Sequence, residues 1–174
     1  MVNWLQKIIK AGEKIKTAIH ERATKEDIAK SDWTSCCKGP MLKKDLENNL
    51  FVCPNCNKHH YISPTQRFDI MFGKNNWQKI ESPQPPPDPY NWQDTKKYTD
   101  RLKDAKKITG QDNAILSCEA KINDIDVVVS AVNFKFIGGS ISMAEGENVL
   151  ASIQVAIDKK CPYIFISASG GMRM

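Results

Sequence analysis

The chain has 174 residues, 41% hydrophobic and 26% charged, with a formal net charge of +5. That length accommodates one medium domain and a small satellite, and that balance excludes wholesale disorder. No apolar run approaches the roughly 20 residues of a membrane-spanning helix, and so mild a positive charge does not by itself argue for nucleic acid.

Residues 1–30 form the first segment. In "MVNWLQKIIKAGEKIKTAIHERA", Leu5, Ile8, Ile9, Ile15 and Ile19 recur at helical spacing opposite a lysine-bearing face, with Gly12 weakening the pattern. The segment reads either as an amphipathic arm for a membrane or partner, or as a surface helix packed on its own protein. Its lysines interrupt any continuous apolar core of a signal peptide, so the expected compartment is the cytoplasm, where thiols stay reduced. The six cysteines therefore read as metal ligands or core residues.

Residues 31–80 form a cysteine-rich subdomain with a short helix. Cys53 and Cys56, in "CPNC", have the spacing of a zinc-ribbon knuckle. Cys36 and Cys37 are adjacent, and neighbouring side chains on extended backbone point opposite ways. Both bind one ion only if the chain turns sharply, for which Gly39-Pro40 is suited. Three outcomes stay open: zinc held by Cys36, Cys37, Cys53 and Cys56; zinc held by Cys37, Cys53 and Cys56 with His59; or a knuckle without metal. Four protein ligands leave no open position, so the metal is structural. In "SPTQRFDIMFG", Ser63 is a helix N-cap, Pro64 fits the first turn and Gly73 a stop.

"ESPQPPPDPYNWQD" holds five of the nine prolines and excludes regular helix or a central strand, so residues 81–95 read as a linker or strap marking the domain boundary. Residues 96–174 form the second domain. "TKKYTDRLKDAKKITG" is helical and ends at Gly110; "NAILSCEAKI" and "IDVVVSAVNFKFIGG" are antiparallel strands joined at "NDID". "AEGENVLASIQVAIDKK" places Val149, Leu150, Ile153 and Ile157 on one helical face, and "CPYIFIS" is a covered strand.

Two glycine pairs, Gly138-Gly139 and Gly170-Gly171, each close an apolar strand. Glycine serves where φ is positive or where something approaches the backbone closely. A strand–Gly–Gly–helix junction presents unpartnered amides to an oxygen carrying negative charge, whether phosphate or enolate. A tight turn needing two glycines explains the same residues without any ligand. Neither pair has the spacing of a P-loop or a dinucleotide fingerprint.

Taken in order, the cysteine region with "NLFVCPNC", the "KKYTDRL" helix, "NFKFIGGSI" and "FISASGGMRM" resemble the β subunits of bacterial acetyl-CoA carboxylase carboxyltransferase, from about Trp33 to the last residue. The resemblance implies a crotonase-like (ClpP-related) fold of repeated β-β-α units, incomplete here and preceded by a small zinc ribbon. It implies transfer of a carboxyl group from carboxybiotin, borne on a biotin carboxyl carrier protein, to acetyl-CoA, giving malonyl-CoA for fatty acid synthesis. It also implies an α2β2 assembly with an alpha subunit and, in the larger ATP-using complex, a biotin carboxylase.

By the same resemblance the amides of Gly170 and Gly171 form an oxyanion hole for the thioester enolate, and Gly138 and Gly139 shape the neighbouring wall. Arg173 pairs with a CoA phosphate, helps fix the helix start against the partner subunit, or makes an ion pair within the fold, and Glu145 and Glu147 are structural acids at a helix start. Biotin itself is the implied base, and no histidine or paired carboxylate lies near either glycine motif in the sequence. The family usually has alanine where Met172 stands, and two residues between its first two cysteines. That spacing puts Thr34 in the place of the first family cysteine and Cys37 in that of the second.

Two other readings compete: a carboxyltransferase or decarboxylase for a different acyl-CoA, and a nucleic-acid-binding zinc-ribbon protein. Only Phe51 among aromatics lies between the cysteine pairs, which weighs against the latter. Three residues after Gly171 do not make a helix. The expectation is thus a C-terminally truncated or partial sequence, inactive as it stands.

Overall fold

A computed structural model describes residues 32–36 and 39–173, so the amphipathic arm expected over residues 1–30 lies outside the described residues. The chain divides into two compact units between Tyr61 and Ile62.

In the first unit, β1 (Trp33–Cys36) and β2 (Gly39–Leu42) pair antiparallel with Cys36 opposite Gly39, so the chain reverses between them. Helix α1 (Lys43–Asn48) follows at once and buries Leu46. Leu50 and Phe51 then take φ of 52° and 62°, and the Phe51 N–H donates to the Leu46 carbonyl at 2.7 Å. This tight reversal returns the chain for the knuckle. Its buried core is small: Met41, Leu46 and Cys53, with Cys36, Phe51 and Cys56 packed against them.

The second unit is built on a sheet of β3 (Trp77–Lys79), β4 (Ile115–Ile122), β5 (Ile125–Val132) and β6 (Tyr163–Ile166), in that spatial order. The first three strands pair antiparallel, and β6 joins β5 in parallel. The β4–β5 hairpin turns on Asn123 and Asp124, both at positive φ (48° and 65°), as a two-residue turn matched to strand twist demands. Helix α2 (Pro64–Phe72) starts with the Ser63–Gln66 capping box and stops at Gly73, as read from the sequence. Helix α3 (Tyr98–Thr109) ends on left-handed Gly110. Helix α4 (Met143–Lys159) carries the parallel crossover from β5 to β6. Two strands, a helix and the next strand make the β-β-α order expected of the crotonase-like class.

The division between units falls earlier than the Pro-rich stretch. Phe68 of α2 is fully buried against Leu116, Cys118, Val127 and Val129 of the sheet, and stacks edge-on to Trp77 at 5.3 Å. Trp77 in turn pairs with Ala120. Residues 62–80 thus belong with the sheet rather than with the cysteine region. The stretch 81–95 runs as irregular backbone against that same unit, where Pro85–Pro89 wall a cavity.

Helix α4 departs from its hydropathy pattern. Its buried residues are Glu145, Asn148, Ser152 and Ala156, while Leu150 and Ile157 are 62% and 61% exposed. The strands beneath explain this, because Ser117 of β4 and Ser130 of β5 face the helix with their hydroxyls 2.7 Å apart. The Ser117 hydroxyl reaches Asn148 Oδ1 at 2.7 Å, and Asn148 Nδ2 donates to the Ile115 carbonyl at 2.9 Å. A satisfied polar network, not an apolar stripe, seats the helix.

Candidate active site and metal centre

The two glycine junctions lie side by side. After Phe136 the chain makes a short 3-10 turn, Ile137–Gly139, with φ of 46°, 64° and 65° at its three residues. At Gly139 a Cβ would sit 2.2 Å from the Ala168 carbonyl oxygen and 2.9 Å from Val132 Cγ1, so only glycine lets the two segments approach. Gly138 has open space around it, and its requirement is the left-handed backbone alone.

The second junction pairs with the first as a short parallel ladder. The Gly170 N–H donates to the Gly138 carbonyl at 3.0 Å, Ile141 N–H to Gly171 at 3.0 Å and Arg173 N–H to Ile141 at 2.7 Å. The sequence expected Gly170 and Gly171 to offer unpartnered amides. Here the Gly170 N–H is held by a backbone carbonyl and the Gly171 N–H by the Ser169 hydroxyl at 3.0 Å. Both glycines and Ser169 are exposed. Releasing Gly171 needs only rotation of a surface hydroxyl, whereas releasing Gly170 means breaking the ladder.

Arg173 turns inward and makes an ion pair within the fold. Its side chain is 9% exposed and bonds Glu145 Oε1 at 3.1 Å. Nε donates to Ser140 Oγ at 2.9 Å, one terminal nitrogen to Tyr98 Oη (2.7 Å) and Ser142 Oγ (3.1 Å), and the other to the Ser140 carbonyl (2.6 Å) as well as Glu145. All five guanidinium donors are engaged, leaving none for a phosphate.

Glu145 is fully buried and closes the capping box of α4, accepting from the Ser142 N–H at 2.9 Å and from the Ser142 hydroxyl. It also accepts from the Ala114 N–H at 2.9 Å. Burial is the largest single influence on its carboxyl and pushes the pKa up. The Ser142 hydroxyl, the Ala114 amide and Arg173 together outweigh it and hold the group below the usual carboxylate range. Glu147 is exposed. Beside the pair opens a cavity of about 310 Å³, walled by Pro85–Pro89, Trp92, Tyr98 and Leu102, with Glu145 and Arg173 in its lining.

In the first unit, Cys36, Cys53 and Cys56 bring their sulfurs within 4.8 Å of one another. The turn after Cys53 is fixed by its N–H to the Lys58 carbonyl at 2.9 Å and by Asn57 N–H to the Cys53 carbonyl at 2.8 Å. Cys37 lies outside the described residues, and His59 is exposed and not part of the group. The Cys36 and Cys56 sulfurs are 3.3 Å apart, too far for a disulfide and near the roughly 3.8 Å edge of a tetrahedron of zinc-bound thiolates. In the sheet, Cys118 is fully buried. Its thiol is pushed up to about 12, first by burial and then by neighbouring Glu119, as befits an inert core residue.

Residues 33–56 match the family model described as the acetyl-CoA carboxylase zinc finger domain. The acetyl-coenzyme A carboxylase carboxyl transferase subunit beta of Pelagibacter ubique strain HTCC1062 is 56% identical over 173 residues, covering 99% of this chain. The chain is similar to these beta subunits along nearly its whole length. It spans 56% of the Pelagibacter protein and 58% of the corresponding Beijerinckia indica subunit, which is 37% identical over 175 residues. The P. aeruginosa geranyl-CoA carboxylase beta subunit superposes in part, with a TM-score of 0.45 at 20% identity over 75% of this chain and 23% of that one. No helix among the described residues is long and apolar enough to cross a membrane.

The structure brings the two glycine pairs together, and Glu145 and Arg173 meet beside them, a contact the sequence reading did not expect at Glu145. Ser142–Glu145 is an S-x-x-E capping box legible in "SMAE". That Glu145 also reaches Ala114 and Arg173, 31 and 28 residues away, carries no local signal.

Proposed function

We propose that the chain supplies the acyl-CoA side of a carboxyl transfer, in which a carboxyl group passes from carboxybiotin on a carrier protein to acetyl-CoA to give malonyl-CoA. The observation that carries this is the ladder joining the two glycine junctions, in a chain related along its length to carboxyl transferase beta subunits. Removing a proton from the acetyl methyl moves negative charge onto the thioester oxygen. An amide aimed there stabilises that charge without reorganising, by roughly 2.7–4 kcal/mol for one donor if other oxyanion holes are a guide. The Gly171 N–H is the donor this geometry favours, because the exposed Ser169 hydroxyl yields it by rotating away. Gly138 and Gly139 keep the neighbouring wall free of side chains, so a thioester can approach. In this reading an alpha subunit, a biotin carboxyl carrier protein and a biotin carboxylase complete the assembly, in the cytoplasm.

The first unit, in the same reading, is a structural zinc ribbon held by Cys36, Cys53 and Cys56, with Cys37 as the fourth thiolate. Three converging sulfurs around a core of three buried residues fit such an ion, whose chemistry there is to cross-link the knuckle to the hairpin.

The test is steady-state carboxyl transfer by the protein isolated from its source with its accompanying subunits, offered acetyl-CoA and propionyl-CoA. Malonyl-CoA formation with a clear preference for acetyl-CoA is expected. Preference for propionyl-CoA moves the assignment to another acyl-CoA, and no transfer to either overturns it.

A further inference from the structure

The Glu145–Arg173 pair does more than cap a helix, and its further role rests on the carboxyl-transfer reading. The segment after β6 contains two adjacent glycines, the residues with most backbone freedom, and among the described residues three backbone hydrogen bonds join it to residues 138–141. Those bonds alone leave the direction of the Gly171 amide weakly specified. Two residues further on, the guanidinium locks into Tyr98 of α3, Ser140 after the first junction, and Ser142 and Glu145 of α4. Glu145 is itself tied to the backbone entering β4, at Ala114.

One buried charge pair therefore ties α3, the start of α4, the backbone entering β4 and the segment after the first junction to the segment that carries the second. Buried ion pairs contribute little net stability, because desolvation offsets the attraction; their best-attested use is to fix register. We infer that Glu145 and Arg173 are positioning residues, setting the register of residues 170–173 against 138–141 and thereby the aim of the Gly171 N–H at the acyl oxygen. They touch no substrate in this role, which falls to the amide they hold.

Amide hydrogen exchange on the full chain, without substrate, tests the anchoring directly. The variants are Glu145→Gln and Arg173→Lys, the latter keeping the charge but losing the guanidinium fork. In both, exchange at the Gly170 and Ile141 amides and at the amide of position 173 is expected to rise at least about tenfold. The central amides of β4 and β5 should hold. Tyr98→Phe, which removes one hydrogen bond and no charge, should give a smaller rise at the same positions and keeps the test alive if a charge variant fails to fold. Asp88, Lys106 and Asp112, of which the last two pair with each other at 3.1 Å, are the other charged groups lining the same cavity. Asp112→Asn should therefore leave the three amides as they are. Unchanged exchange in both charge variants overturns the inference, whether or not the protein transfers carboxyl groups. In the assembled enzyme, Glu145→Gln should lower kcat at least about tenfold with KM for acetyl-CoA within about twofold. Loosened amides with an unchanged kcat would equally overturn it. An inactive wild-type enzyme would instead sink the carboxyl-transfer reading, leaving the exchange result to decide the anchor.

Discussion

Neighbouring glycines in one motif are needed for different reasons, and substitution separates them. At Gly138 a methyl group meets nothing within 4 Å, so Gly138→Ala pays only for the left-handed backbone, about 1–2 kcal/mol. At Gly139 the same methyl would lie 2.2 Å from the Ala168 carbonyl oxygen, a backbone atom that moves only with its chain. Gly139→Ala should add an overpacking cost of about 1–3 kcal/mol to the backbone strain, read as a lower urea midpoint than Gly138→Ala. Equal midpoints would show that residues 138–139 and 168 do not approach as closely as described. Glu145 gives a second residue-scale expectation. Its folded pKa is depressed, so its contribution to stability is complete above the ordinary glutamate value of 4.5 and is lost as pH falls through the lower folded value. Melting curves of wild type and Glu145→Gln should therefore converge below that window and separate above it. A gap independent of pH would mean that Glu145 is not ionised in the fold. The sequence singled out the two glycine pairs; it did not show that the Gly170 and Gly171 amides already have acceptors, because that depends on the Ser169 rotamer and on a segment 32 residues away.

At the scale of elements, legibility followed the range of the interactions. Helix α2, with Ser63, Pro64 and Gly73 at its ends, and the Asn123-Asp124 hairpin are set by neighbours in sequence, and both formed where their residues indicated. The face of α4 was not legible. Its apolar residues do share a face, but hydropathy cannot register that Ser117, 31 residues before Asn148 and itself bonded to Ser130, holds a partner for a polar one. This reversal has a measurable consequence. Asn148→Ala strips Ser117 and the Ile115 carbonyl of a buried partner and should cost about 1–3 kcal/mol. Leu150→Ala, at 62% exposure, should fall within about 0.5 kcal/mol of wild type. Urea unfolding of the two variants checks the order, and a costlier Leu150→Ala would restore the apolar seat expected from the pattern.

For the whole molecule, the two units rest on different physics. The sheet unit has aliphatic and aromatic residues buried on one face, around Phe68 and Val129, and a hydrogen-bonded network under α4 on the other. In the described part of the cysteine unit, residues 32–61, burial reaches only Met41, Leu46 and Cys53 in the core. A body of that size seldom folds on apolar burial alone and usually needs a disulfide or a metal. Among its described cysteines none is bonded to another, the Cys36 and Cys56 sulfurs lying 3.3 Å apart, so the proposed zinc ion would supply the missing cross-link. The sequence made the knuckle legible through Cys53 and Cys56. It left the first pair ambiguous, and the hairpin answers half of that ambiguity: the chain reverses after Cys36, bringing its sulfur to the other two. Purified protein is expected to carry one zinc ion per chain, lost on treatment with a strong chelator. Because zinc binding and folding are coupled in so small a body, amides of β1, β2 and α1 should then exchange freely while those of β4 and β5 stay protected. Cys53→Ser should do the same without chelator, whereas His59→Ala should retain the metal, since His59 stands outside the cluster. Retained zinc in Cys53→Ser, or a hairpin that keeps its protection after chelation, would show that packing and not the ion holds this unit.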